Sequence, residues 1–316
     1  MSTNLRNEFS GRKFGVELEM GNEVSQSHIA DIIKANSLKE VRIQSGWGQT
    51  NNNHFWHVKY DGSCGAVGKP VDSSWEVASF VASGATDLNC IADMATKLHQ
   101  GNCLVNKNCG LHIHCDVSDF TVNEMGVLLA RWMKIEPMLC NLMPSYRVDN
   151  YYCRLISKSR KIAKSKKHTA ETVWLKLKPT KYGPHDNRQK KVTLNTVGYA
   201  QALACEASYY PQTPPSYLHL RKTVEFRMPE GTLRREAIIA WVTFLIRFID
   251  SAKISRMPID LKPLVKIKDF FKYCGLTNSD INNCNLELFD TKLFLIERFF
   301  TFGDEDIKKQ FNKGLF

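Results

Sequence analysis

Apolar and polar residues alternate with a period of two in three short stretches of this chain. They are Gly15-Val16-Glu17-Leu18-Glu19-Met20, Gly110-Leu111-His112-Ile113-His114-Cys115 and Thr223-Val224-Glu225-Phe226-Arg227-Met228. A strand turns residues i and i+2 to the same side, so each stretch predicts a strand with one polar and one apolar face. Glu17 with Glu19, His112 with His114, and Glu225 with Arg227 share the polar faces. Val16, Leu18, Ile113, Cys115, Val224 and Phe226 share the faces that pack against helices.

The pattern elsewhere fills in the remaining elements. Strands are expected over 13–20, 54–60, 75–81 and 218–228, with turns at Trp47-Gly48, Asn51-Asn52-Asn53 and Asp61-Gly62-Ser63. A short helix is expected over 27–34, where Ile29, Ile32 and Ile33 fall at helical spacing. A second helix has Asp87 as its cap, Leu88, Ile91, Ala92, Ala95 and Leu98 as its stripe, and Gly101 as its stop. Thr121-Val122-Asn123-Glu124 is a capping-box sequence that opens a long apolar helix to about Met143. The segment 195–209 reads as helical or extended, and Pro211–Pro215 breaks it. Another helix covers about 234–252, and the tail 256–316 has a helical pattern. This order lacks a regular βαβ rhythm. The expected fold class is α+β, a largely antiparallel sheet with helices packed on its apolar face.

Composition narrows the class without deciding it. With 316 residues, 43% of them hydrophobic and 24% charged, the chain is an ordinary globular one. No apolar run reaches the roughly 18 residues that span a bilayer, and the first residues carry no apolar leader. No membrane partner is expected, and the expected location is the cytoplasm. Ten cysteines occur without any C-x-x-C spacing, so a zinc knuckle is not expected. Cys90, Cys115, Cys140 and Cys205 fall on apolar positions, as reduced buried thiols do. The net charge of +11 is concentrated: residues 154–191 hold thirteen Lys and Arg against two acids, Glu171 and Asp186. That segment is either a solvated basic surface or a dock for an acidic partner, such as a nucleotide, nucleic acid or acidic peptide.

The polar strand faces carry the candidate chemistry, and each has two readings. Glu17 and Glu19 suit a hard divalent cation, or they are the charges that protect an edge strand from aggregation. His112-x-His114 suits zinc, or comprises one structural histidine and one that binds phosphate. Glu76 is an acid in an otherwise apolar run, Trp75-Glu76-Val77-Ala78, and needs a partner. Arg221 and Arg227 flank Glu225, and Gly231-Thr232 precedes a helix. That arrangement is a phosphate seat, or a simple Glu–Arg ion pair with Thr232 as N-cap. No Walker sequence, G-x-G-x-x-G or G-x-S-x-G is present. Carboxylates crowded without a cation repel one another, so neutralising Glu19 or Glu225 is expected to leave the metal-free fold intact or more stable.

Taken in order, G-V-E-L-E at 15–19, D-G-S at 61–63, E-V-A-S at 76–79, C-G-L-H-I-H at 109–114, and T-V-E-F-R at 223–227 with Gly231-Thr232 resemble the amidoligase family. That family belongs to the glutamine-synthetase-like carboxylate–amine ligases, which include the glutamate–cysteine ligases. The resemblance covers roughly residues 13–252. It implies a half-barrel sheet holding ATP and Mg²⁺, with Mn²⁺ as a substitute. It implies Glu17, Glu19, Glu76 and Glu225 as metal ligands, and Arg227, His112 and Asp61 as catalytic residues. Ser63, His114, Arg221 and Thr232 are implied on the nucleotide side. Asn195 resembles a recurrent asparagine ahead of the last motif, although its surroundings match poorly.

The implied reaction phosphorylates a carboxylate and passes the acyl group to an amino-acid, peptide or polyamine-like amine. Two other classes compete with it: a zinc-dependent hydrolase built on His112 and His114, and a nucleic-acid-binding protein built on the basic segment. The expected organisation is a catalytic domain over 1–253, with the basic insertion at about 154–191, and a helical extension over 254–316 packed on the same domain.

Overall fold

The structure is a computed structural model. It describes residues 11–21, 24–44, 54–65, 74–159, 162, 167–179, 191–207, 222–276 and 286–313. Seven strands form one sheet: β1 (Phe14–Gly21), β2 (Val41–Gln44), β3 (Trp56–Tyr60), β4 (Ser74–Ala78), β5 (Leu111–Asp116), β6 (Leu194–Asn195) and β7 (Thr223–Phe226). Their order is β2-β3-β4-β1-β5-β7-β6. Every adjacent pair is antiparallel except β2 with β3, which run parallel. The sheet is therefore mixed, and the expectation of a largely antiparallel sheet is corrected at that edge. The short stretch Val41-Arg42-Ile43-Gln44 does not stand out in the sequence, and a parallel partner announces itself by no hairpin turn.

Ten helices are described: α1 (Gln26–Asn36), α2 (Gly84–Gln100), α3 (Val122–Cys140), α4 (Ile156–Ser159), α5 (Ala170–Leu177), α6 (Val197–Ala207), α7 (Arg235–Lys253), α8 (Ile267–Tyr273), α9 (Leu286–Phe302) and α10 (Glu305–Asn312). The α3 capping box forms as its sequence predicts, with the Thr121 hydroxyl on the Glu124 N–H and the Glu124 carboxylate on the Thr121 N–H. At α2 the cap position is Ser83 rather than Asp87. Asp87 lies within the first turn and accepts the Ser83 N–H at 2.9 Å. All five predicted stripe residues of α2 are buried, and Gly101 ends the helix. Of the strand expected over 218–228, residues 218–221 lie outside the described residues, as does the Pro211–Pro215 cluster, and among the described ones the strand runs over Thr223–Phe226.

Strand alternation divides the sheet into two faces. Val16, Leu18, Met20, Val58, Val77, Leu111, Ile113, Cys115, Val224 and Phe226 are buried on one. Trp132 of α3 seats its ring 5.0 Å from Phe226 and 5.7 Å from Phe248 of α7, which places these helices on the apolar face. Each such aliphatic or aromatic side chain contributes about 1.5–3 kcal/mol when fully buried. The N-terminal segment is tied to α7 by Arg12, which donates to Asp250 at 2.8 Å and Asp119 at 2.8 Å. The tail helix α9 packs on α7, with Phe294 of α9 5.9 Å from Trp241 of α7. Among the described residues no helix is long and apolar enough to cross a membrane.

Candidate active site

The opposite face of the sheet collects the polar residues, and strand register explains how. Glu17 pairs across with His112, and Glu19 with Glu76. Glu76 pairs in turn with Lys59, His114 with Glu225, and Glu225 with Asn195. Six strands thus present Lys59, Glu76, Glu17, Glu19, His112, His114, Glu225 and Asn195 on one surface. Glu19, Glu76, His112 and Glu225 are at most 8% exposed, so their charges need partners.

The contacts supply those partners unevenly. His112 Nδ1 lies 3.3 Å from Glu17, 3.4 Å from Glu19 and 3.7 Å from Glu225. His114 Nε2 lies 3.3 Å from Glu17 and 4.0 Å from Glu225. Arg227 forms a short ion pair with Glu225, and Asn195 donates to the other oxygen of Glu225 at 2.7 Å. Lys59 Nζ sits 2.6 Å from Glu76 and 3.8 Å from Glu17. The Gly110 N–H donates to Glu19 at 2.5 Å. A β-carbon at Gly110 would stand 2.3 Å from the Arg147 guanidinium and 2.8 Å from His112, so any larger residue there would push these two buried side chains aside.

Protonation follows the same unevenness. Burial raises the Glu225 carboxyl, but Arg227 and the two histidines outweigh it and bring the group down to about 2. Burial likewise opposes charge on His114, yet Glu17 and Glu225 push it up to about 9. At Glu17 burial is overcome by His114 and Lys59, which hold the carboxyl well below the usual range. Glu76 goes the other way. Burial, reinforced by Glu17, pushes it well above the ordinary carboxylate value in spite of Lys59.

The donor set fits a hard divalent cation. Ligand atoms of Glu17, His114 and Glu225 lie within 4.8 Å of one another, and so do those of Glu19, Asp61 and Cys64. His114 Nε2 is buried and makes no well-formed hydrogen bond. Crowded carboxylate oxygens with an under-used imidazole are what such a cation takes up.

The other predicted residues are placed as follows. Asp61 follows β3 and accepts the Ser63 N–H at 2.8 Å, opening the short turn Gly62–Cys64 beside Glu19. Thr232 is not the N-cap of α7. That helix starts at Arg235, and the Thr232 hydroxyl accepts the Arg234 N–H at 3.1 Å in the preceding turn. Arg221 lies outside the described residues. Lys59 and Arg147 are site residues not picked out from sequence. Lys59 carried a readable signal, since His57 and Lys59 share one face of a predicted strand. Arg147 carried none: it is buried and donates to the Arg227 carbonyl at 2.7 Å and the Pro229 carbonyl at 3.1 Å, holding the exit of β7 in place.

The family model described as "Putative amidoligase enzyme" matches residues 10–249, a span that contains every residue of this cleft. The chain belongs to this amidoligase family. No curated protein matches the amidoligase-family chain. Among solved structures it is similar to the crystal structure of the complex between Prokaryotic Ubiquitin-like Protein Pup and its Ligase PafA. That similarity stands at 11% identity and a TM-score of 0.41, covering 96% of this chain and 66% of that one. The tail beyond residue 249 lies outside the matched span.

Proposed function

We propose that this protein is an ATP-dependent carboxylate–amine ligase that forms an amide through an acyl phosphate. The observation that carries the reading is the convergence of Glu17, Glu19, Glu76 and Glu225 with Arg227, His112 and His114 on one sheet face. More than 200 residues of chain separate Glu17 from Glu225. Glu17, Glu19, Glu76 and Glu225 are the residues that would hold Mg²⁺, or Mn²⁺ in its place. Bound there, the ion would neutralise phosphate oxygens of ATP during phosphoryl transfer. In this reading Arg227 would offset charge on the transferring phosphoryl group, and His112 and His114 would donate hydrogen bonds to it. Asn195 fixes one oxygen of Glu225 and so sets where Arg227 is held. Asp61 and Ser63 line the turn on the nucleotide side. No nucleophilic Ser or Cys is needed, because the substrate carboxylate is itself the nucleophile toward ATP.

The amine is of the amino-acid, peptide or polyamine class. The basic segment 154–191 is proposed to recruit the acidic substrate by long-range attraction. Its described part is anchored at the base, where the buried Glu136 accepts the N–H groups of Ile156 at 2.8 Å and Ser157 at 3.0 Å. A protein that only bound nucleic acid would have no use for the buried carboxylates.

Purified protein incubated with ATP, Mg²⁺ and pooled carboxylates and amines tests the reading. ADP is expected to appear in step with amide, and chelation of Mg²⁺ is expected to stop both. Amide hydrolysis supported by zinc without ATP consumption would instead establish the hydrolase, which the clustering of Glu17, His114 and Glu225 also permits.

A further inference from the structure

The acid-rich end of the cleft holds two thiols that the ligase chemistry does not use. Cys64 closes the turn after β3, and Cys109 lies just ahead of β5; both are fully buried. Their thiols lie close enough to perturb one another's ionisation. The Asn106 backbone N–H points at the Cys109 sulfur at 3.4 Å. The Asn106 side chain donates to the Cys64 carbonyl at 2.9 Å and the Gly21 carbonyl at 3.3 Å, so one asparagine fastens both cysteine loops to β1. From the other side the Gly231 N–H donates to the Cys109 carbonyl at 2.9 Å. A β-carbon at Gly231 would stand 2.5 Å from the Cys109 β-carbon, so the two loops are in direct contact.

This pair does not stand alone. Ligand atoms of Cys64, Asp61 and Glu19 lie within 4.8 Å of one another. Cys64, Asp61 and Glu19 make a mixed sulfur–oxygen donor set, and the Cys109 thiol next to Cys64 stands outside that 4.8 Å group as the fourth candidate. Mg²⁺ and Ca²⁺ avoid sulfur, whereas Zn²⁺ takes thiolate and carboxylate together in tetrahedral sites. With Zn–S of about 2.3 Å and Zn–O of about 2.0–2.2 Å, ligand atoms around tetrahedral zinc stand roughly 3.3–3.8 Å apart. The Glu19–Asp61–Cys64 group therefore needs to contract by about 1 Å, and the Cys109 thiol needs to turn in toward it, both by side-chain torsions. A backbone N–H directed at sulfur is the kind of outer contact that stabilises a bound thiolate.

We propose that Cys64, Cys109, Asp61 and Glu19 form a zinc site, selective by its sulfur ligands, at the acid-rich end of the cleft. Zinc there takes Glu19 out of the hard-cation set and inhibits the enzyme. The inhibition rests on the proposed ligase function; the zinc site itself does not.

The test uses reduced full-length protein titrated with Co²⁺, a spectroscopic substitute for zinc, in excess Mg²⁺. A thiolate-to-cobalt charge-transfer band is expected at one equivalent and is expected to vanish when Zn²⁺ displaces the cobalt. Cys64→Ser and Cys109→Ser are expected to lose the band, and Asp61→Asn to weaken cobalt binding by at least about tenfold. Cys103→Ser, at a buried thiol on another loop, is expected to keep it. In the ligase assay, half-inhibition by Zn²⁺ is expected to need at least about tenfold more zinc in Cys109→Ser, measured against that variant's own uninhibited rate. Should the cysteine variants not fold, thiol mapping of the wild type decides. All three thiols are buried, so alkylation is followed over hours as local opening exposes them, and Zn²⁺ is expected to slow it at 64 and 109 but not at 103. Cobalt bound without a thiolate band, a band that survives Cys64→Ser, or equal alkylation of all three thiols would overturn the site. A cobalt band with no ADP release from any substrate would sink the ligase reading and leave the zinc site standing.

Discussion

Glu76 and Glu225 are both buried glutamates on the same sheet face, each against one cation, yet their carboxyls behave in opposite ways. Glu225 has Arg227, two histidines and Asn195 around it and is held down at about 2. Glu76 has Lys59 but also Glu17 and Asp61 nearby, and is pushed well above its ordinary value. The two ends of the cleft therefore differ in kind. The Glu225 end is electrically satisfied by the chain's own side chains, and suits the handling of an anion such as phosphate. The Glu76 end, with Glu19 and Asp61, holds more negative charge than its side chains neutralise. It is the end where a cation held by Glu17, Glu19, Glu76 and Glu225 would relieve the most uncompensated charge.

Breaking the satisfied end gives the largest expected effect. Glu225→Gln leaves Arg227 buried beside a neutral amide, and removing one partner of a buried pair typically costs about 3–5 kcal/mol. Chemical denaturation of the metal-free variant should show a loss of that order along with loss of ADP release. This revises the expectation that neutralising either Glu19 or Glu225 leaves the fold unharmed; it holds only where carboxylates outnumber cations. The loss should also depend on pH. With its folded pKa at about 2 against an unfolded value near 4.5, Glu225 contributes stability above pH 4.5, which fades as pH falls toward 2.

At the other end, Glu76→Gln should leave metal-free stability within about 1 kcal/mol of wild type or raise it, since a repelled carboxylate is removed. Cation affinity should nevertheless fall at least about tenfold, read by calorimetric titration with Mg²⁺. A variant that loses stability as heavily as Glu225→Gln would erase the difference between the two ends.

His114 links them and sharpens the contrast through pH. Its folded pKa of about 9 lies above the unfolded 6.5, so its contribution is fully present below pH 6.5 and is lost as pH rises through 9. Melting temperatures of chelator-treated protein should fall across that window, and His114→Gln should flatten the fall. A cation competes with the same proton, so Mg²⁺ affinity should rise over the same range.

These contrasts were partly legible in the sequence. Period-two alternation located Glu17, Glu19, His112, His114 and Glu225, because their apolar neighbours Val16, Leu18, Ile113 and Val224 mark which side faces the helices. Strand order was not legible, since the pairings of β1 with β4 and β5 join segments about 60–100 residues apart and leave no local trace. Asn195 lies in a two-residue strand, too short to show a period. The pairing of Cys64 with Cys109 depends on two loops meeting across the sheet end. The alternative of Thr232 as a cap rests on a hydroxyl before a helix usually being one, but the helix starts three residues later.

The smallest expected effect concerns the basic segment. Neutralising Lys161, Lys164, Lys166 and Lys167 should raise KM for the acidic substrate with little change in kcat. Salt should raise the wild-type KM more than that of the variant, because screening acts over about 8–10 Å. Of these four only Lys167 falls among the described residues.

Titration of chelator-stripped protein with Mn²⁺, with free ion read by electron paramagnetic resonance, tests the division of the cleft most directly. Wild type should bind Mn²⁺, Glu19→Gln should bind at least about tenfold more weakly, and both should melt as cooperatively without metal. Wild-type protein that binds no Mn²⁺, or that binds it equally well after Glu19→Gln, would contradict the assignment of this end to a cation.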